Sequence, residues 1–296
     1  MAAGHGEGAA DYTGSRGRGC IILATMHRRA ARIERMRTRA TPLRARRAPS
    51  VAWGAACCAI AAVSFGILAQ THMEAAPLPA PFSGNKAGAA IPRGWEPVKL
   101  GERKRPTQYT LVEDGGVIVL HANAVGAAAG LAQFAVFDVR SAPVVEWRWK
   151  AGSLIQGADN RIASKDDAPV RLMFAFDGDK SQLSLVERAV FYLTEKLSGR
   201  ELPYALLQYI WAGDIPVGTV LENPYTRRVR MLVVASGPGG VGTWQSLSRN
   251  LHDDFRHAFQ EEPGLLTGIG VMTDTDNTGG SVDAWYGDIR FLPADR

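Results

Sequence analysis

Cysteine is almost missing from this chain: it has three in 296 residues, and all of them (Cys20, Cys57 and Cys58) precede residue 59. The larger, C-terminal part therefore has no disulfides, no thiol nucleophile and no zinc–thiolate site. Its stability has to come from core burial, which a domain of this length can supply. Catalytic signatures are also missing: no G-x-S-x-G elbow, H-E-x-x-H pair or Walker loop occurs. Histidine is scarce, with only His121, His252 and His257 beyond residue 100. Each of these reads as a surface residue.

Net basic charge is missing from the same part. Eleven of the 34 Lys/Arg and three of the 29 Asp/Glu lie before Pro49, leaving 23 bases against 26 acids for the rest. The overall pI of about 9.2 belongs to the leader. A nucleic-acid partner, which needs a basic face on the folded domain, is thereby disfavoured. The run Gly237-Pro238-Gly239-Gly240-Val241-Gly242 matches G-x-G-x-x-G, but a dinucleotide site needs a helix to open inside the glycine loop. Here Thr243-Trp244-Gln245 intervenes and Pro238 sits in the turn, so a strand-connecting loop is expected.

Four segments follow from composition. Residues 1–49 form a basic leader expected to be disordered, with Met26 and Met36 as alternative starts. Residues 50–70 read as a signal peptide or a membrane anchor, because Val51 to Ala69 is uncharged behind an arginine-rich flank. Ala69 and Thr71 fit a cleavage site tolerably, and the run is just long enough to span. Both alternatives stay open: cleavage, or retention with residues 51–69 in the inner membrane. Either places the domain on the periplasmic or extracellular side. Residues 71–94 are Pro/Ala-rich and read as a linker, and residues 95–293 form one folded domain.

Strand signals dominate that domain. Val117–Leu120, Ala132–Val139, Val144–Lys150, Val170–Phe176, Leu206–Trp211, Val229–Ala235, Leu265–Met272 and Ala284–Leu292 are the candidates. Two helices are expected: one carrying Leu183, Val186, Val190, Leu193 and Leu197 and stopping near Gly199, and one over about Ser246–Phe259. The fold class is mainly β: a jelly-roll-like β-sandwich with two accessory helices, behind an N-terminal hydrophobic leader helix.

The polar residues of interest gather at one turn. Asp274-Thr275-Asp276-Asn277-Thr278-Gly279-Gly280 separates two strand-like runs, and binding residues favour loops held by rigid scaffolds. Asp274, Asp276 and Thr278 follow the spacing of a calcium loop, with Gly279 at the sharp turn, but Trp285 stands where the bidentate Glu belongs. Asp and Asn also cap turns through backbone amides, so a structural turn competes with a Ca²⁺ site. Asp166-Asp167, at another strand end, supplies carboxylates that would make an acid/base pair if the two points converged. Asp283 offers a late carboxylate, and Trp285 and Tyr286 beside it are the best candidates for an exposed aromatic platform. Trp147 and Trp149 alternate with charges and continue rows of Val and Leu, which favours the core.

Linked landmarks resemble one bacterial family. They are Asp166-Asp167-Ala168-Pro169-Val170-Arg171 running into Phe174 to Asp179, then Glu201-Leu202-Pro203-Tyr204 into Tyr209-Ile210-Trp211, then Asn223 to Arg228. Arg249-Asn250, Phe255 to Pro263, Met272 to Thr278 and Trp285 to Ile289 complete the set. The chain is similar to the domain of unknown function 3047 family from Trp95 to Leu292. Gln260 departs from it, standing where the resemblance implies a glycine in a turn. The resemblance implies one domain behind an export signal and brings no reaction or site residues.

Three functions are compatible with these residues. The leading expectation is an exported or membrane-anchored module that binds envelope or extracellular glycan, without catalysis, through Asp166, Asp167, Asp274, Asp276, Asn277, Asp283, Trp285 and Tyr286. A hydrolase or lyase acting on glycan through the loop carboxylates is the second, and a structural envelope protein the third.

Overall fold

The computed structural model describes residues 79–294 apart from 102, 186, 190, 193–201 and 224–225. The leader, the segment at 50–70 with its expected leader helix, the start of the linker and the end of the first helix lie outside the described residues. Among the described residues no helix is long and apolar enough to cross a membrane.

Two sheets face each other. The seven-stranded sheet runs β1 (Glu96–Lys99), β4 (Ala128–Phe137), β11 (Leu266–Asp274), β6 (Ala168–Phe176), β7 (Ala205–Ala212), β9 (Thr226–Ser236), β8 (Val220–Asn223). The five-stranded sheet runs β10 (Gln245–Asn250), β5 (Val144–Ala151), β12 (Ser281–Leu292), β3 (Val117–Val125), β2 (Gln108–Asp114). All pairings are antiparallel except β7 with β9. The chain crosses between sheets at β1–β2, β3–β4, β4–β5, β5–β6, β9–β10, β10–β11 and β11–β12, which is jelly-roll-like connectivity.

Alternation along β5 builds the core. Val145, Trp147, Trp149 and Ala151 are buried, while Glu146, Arg148 and Lys150 face outward. From the other sheet, Tyr209 stacks on Trp147 at 5.3 Å and meets Phe174 edge-on at 5.2 Å. β6, β7 and β11 are buried along their whole length, so they show continuous apolar runs where a one-sided strand would alternate.

The structure departs from expectation in three respects. β1, β2, β8 and β10 carry too many polar or half-exposed residues to signal strands by hydrophobicity. The expected helix from Ser246 starts late: Gln245–Asn250 is strand β10, with Leu247 opposite Trp147. The helix α1 spans only Leu251–Phe259 because Asn250 caps it, its side chain accepting from Asp253 N at 3.1 Å. The first expected helix is present where described within residues 185–192, flanked by buried Leu183 and carrying buried Phe191. The expected linker is packed structure from residue 79: Phe82 is buried 4.9 Å from the Trp95 ring, and Gly88 and Ala89 exchange backbone hydrogen bonds with Leu111. One buried aromatic in a Pro/Ala-rich stretch is enough to dock it. The glycine run 237–242 connects β9 to β10, with positive φ at Gly237, Gly240 and Gly242.

Candidate functional site

Antiparallel pairing of β11 with β6 sets Asp274 opposite Ala168, so the segment before β6 lies against the loop after β11. The two acidic points of the sequence therefore meet. Arg171 holds them together: its Nε donates to Asp274 Oδ1 at 2.8 Å, and its Nη2 donates to Asp274 Oδ2 at 3.1 Å and to Asp166 Oδ1 at 2.9 Å. Ala168 N completes Asp274 Oδ1 at 3.1 Å. Asp167 accepts from Asn277 N at 3.1 Å, and from Thr278 N and Oγ1, each at 2.7 Å. Asn277 Nδ2 donates to the Asp166 carbonyl at 3.1 Å. Asp276 Oδ2 pairs with Lys104 Nζ at 2.7 Å, while its Oδ1 is buried without a partner among the described residues.

This cluster is closed. Asp167 and Asp274 are only 1% and 4% exposed, and Arg171 is 1% exposed. Burial pushes the Asp274 carboxyl up to about 7; Arg171 pulls it back, and the neighbouring Asp167 and Asp166 push it up further. The same carboxylates hold the Arg171 guanidinium in its charged form against desolvation.

The calcium set Asp274, Asp276 and Thr278 is not the one the fold assembles. Oxygens of Asp167, Asp274 and Asp276 lie within 4.8 Å of one another, whereas Thr278 Oγ1 is spent on Asp167. A hard cation asks for six to eight oxygen ligands, and here both oxygens of Asp274 accept from Arg171 while Lys104 neutralises Asp276. The donor set does not fit Ca²⁺.

Beyond the loop, β12 divides the remaining candidates between its faces. Tyr286 points inward, contrary to the expected platform: it is 2% exposed, and its hydroxyl donates to the Met272 carbonyl at 2.6 Å and lies 2.8 Å from Thr273 Oγ1. Strand alternation permits only one of two consecutive aromatics to face solvent. Trp285 is the one that does, half-buried on the outer face of the five-stranded sheet.

That face carries more than the sequence suggested. The pairings of β12 with β3 and β5 set His121 and Lys150 on either side of Trp285. The imidazole stacks on the indole at 5.0 Å, and Lys150 Nζ lies 4.3 Å from its ring centre. His121 Nε2 is 2.8 Å from Asp283 Oδ1, and Asn123 Nδ2 donates to the same oxygen at 2.9 Å. Further along β5, Arg148 packs 4.4 Å over Trp244, and Lys150 reaches that ring at 5.2 Å. Lys150 also pairs with Asp114 and, through that hydrogen bond, lowers its carboxyl. His121, Asn123, Asp114, Arg148, Lys150 and Trp244 were not singled out for binding from sequence. The charge alternation in Glu146-Trp147-Arg148-Trp149-Lys150 was the available signal.

A two-sheet sandwich with an aromatic and polar outer sheet face is the class that fold and site define. The chain belongs to DUF3047, the family described as protein of unknown function, whose model matches residues 93–290. No curated protein matches it. It is similar to the family 30 carbohydrate-binding module of a cellulosomal cellulase of Clostridium thermocellum, with 12% identity over 73% of this chain and 95% of that one, and a TM-score of 0.31. The xyloglucanase domain of NopAA from Sinorhizobium fredii, in complex with cellobiose, has 10% identity over 69% and 96%, at 0.37. The K2 cleaved adhesin domain of Lys-gingipain has 11% identity over 72% and 95%, at 0.29.

Proposed function

We propose that this protein is a glycan-binding module and that it binds through the outer face of its five-stranded sheet. The observation that carries the reading is Trp285, an indole on a sheet face with Lys150, His121, Asp283 and Asn123 grouped around it. A pyranose presents C–H groups on its ring faces and hydroxyls around its rim. An aromatic ring takes the first, and carboxylate, imidazole, amide and ammonium groups in the same layer take the second. The ligand is an envelope or extracellular glycan, met on the outer side of the membrane by a domain exported behind residues 51–69.

The loop carboxylates lend less support to a hydrolase. A glycosidase pair must reach substrate from both sides of the scissile bond, whereas Asp167 and Asp274 are buried and bonded to protein donors. Affinity electrophoresis in gels containing polysaccharide tests the binding reading. Retardation of the wild type that is lost in Trp285→Ala supports it, and equal mobility of the wild type with and without every polysaccharide counts against it.

A further inference from the structure

The outer face continues past Arg148 into a cavity of about 560 Å³, within the range of about 300–1,000 Å³ typical of small-molecule sites. Glu146, Arg148 and Arg290 line it, together with Ser246 and Ser248 of the edge strand β10. Asp288, in the bulge of β12, also lines it, but Ser83 N and Oγ occupy both its oxygens. Among the described residues, Glu146, Arg148, Arg290 and the two serine side chains have no hydrogen-bond or ion-pair partner. Elsewhere on the face, by contrast, Lys150 has Asp114, and Asp283 has His121 and Asn123.

We propose that this cavity is a subsite for an uncharged, hydroxyl-rich sugar at one end of an extended glycan chain lying along β5. The inference rests on the glycan reading above and adds the ligand class and a second point of contact. The unspent groups are of both kinds: guanidinium donors, a carboxylate acceptor, and serine hydroxyls that donate and accept. An anionic sugar would find the arginines but face Glu146, and a cationic one would face the arginines. A neutral polyol uses every group, because each of its hydroxyls both donates and accepts. The two contact points are continuous: Arg148 lines the cavity and touches Trp244, and Lys150 links Trp244 to Trp285. From Glu146 to Lys150 the strand advances about 13 Å at roughly 3.3 Å per residue, room for several sugar units.

The test is calorimetric titration of the full chain with uncharged gluco-oligosaccharides of increasing length, beside uronic acid oligomers of equal length. Affinity is expected to rise about tenfold or more with length before it levels off, and to favour the uncharged series. Ser248→Trp, which fills the cavity from an exposed edge position, is expected to remove that gain with length, and Arg290→Met to reduce it. Trp285→Ala is expected to weaken binding at every length. An unchanged length dependence in both cavity variants, or tighter binding of the uronic acid series, overturns the subsite and leaves the sheet-face reading standing. A wild type that binds no oligomer of either series overturns both.

Discussion

Arg171 and Asp274 sit on neighbouring strands with Nε and Oδ1 2.8 Å apart, almost sealed from solvent. The same guanidinium reaches Asp166 and Gln208, so one side chain ties together β6, β7, β11 and the loop before β6. A turn that looks like a binding loop is thereby a lock on the end of the seven-stranded sheet. Asp274, Asp166 and Asp167 face protein donors, and the glycan contact proposed above lies instead at Trp285 on β12.

Removing the arginine should be costly. Arg171→Ala leaves the buried carboxylate of Asp274 and the partly buried one of Asp166 without their cation, and losing one partner of a buried pair costs about 3–5 kcal/mol. Urea denaturation should show a loss of that size. The double variant Arg171→Met/Asp274→Asn should lose less than Arg171→Ala, because the buried Asp274 no longer carries a charge without its partner.

The raised Asp274 carboxyl predicts an unusual pH response. Its folded value near 7 lies above the unfolded value near 4, so between those pH values the native state binds more protons. The contribution of this group to stability therefore increases as pH falls from 7 towards 4, by at most about 1.4 kcal/mol per unit. Thermal unfolding of Asp274→Asn should lack this rise. A wild-type profile with the same slope as the variant would contradict the assignment.

Gln260 is the one non-glycine residue with positive φ among those described, at φ 57° and ψ 31°, directly after α1. Left-handed backbone costs a residue with a Cβ about 1–2 kcal/mol, and glycine is the usual occupant of a helix end. Gln260→Gly should raise stability by about 1 kcal/mol, visible as a higher denaturation midpoint at unchanged slope. The glycine that family resemblance implies at this position thus has a conformational reason.

Tyr286 and Trp285 should separate stability from binding. Tyr286→Phe keeps the buried ring but removes the hydroxyl that bonds Met272 and Thr273, at a cost of about 1–2 kcal/mol in stability. Glycan retardation should persist. Denaturation curves and affinity gels run on the same preparations check both halves.

The sandwich was legible where both faces of a strand are buried or where hydrophobic and polar residues alternate, as in Val170–Phe176 and Val144–Lys150. It was illegible at Gln245–Asn250, where serines hide a strand and Leu247 falls by chance in register with a helical stripe. The acidic loop was legible as a place where polar groups gather, since Asp and Asn mark turns whatever their role. Its role was not, because that depends on β6 lying beside β11 and turning Arg171 into a buried partner. The face around Trp285 was hidden for the same reason. His121 on β3, Lys150 on β5 and Trp285 on β12 are far apart in the chain, and only strand order brings them together.

The most direct test of glycan recognition by this sheet face compares the full-length wild type with Trp285→Ala in polysaccharide gels, with melting temperatures measured in parallel. The expected result is that at least one polysaccharide retards the wild type, and that the variant is not retarded although it melts within a few degrees of wild type. Retardation of the variant equal to that of the wild type would contradict recognition through this face.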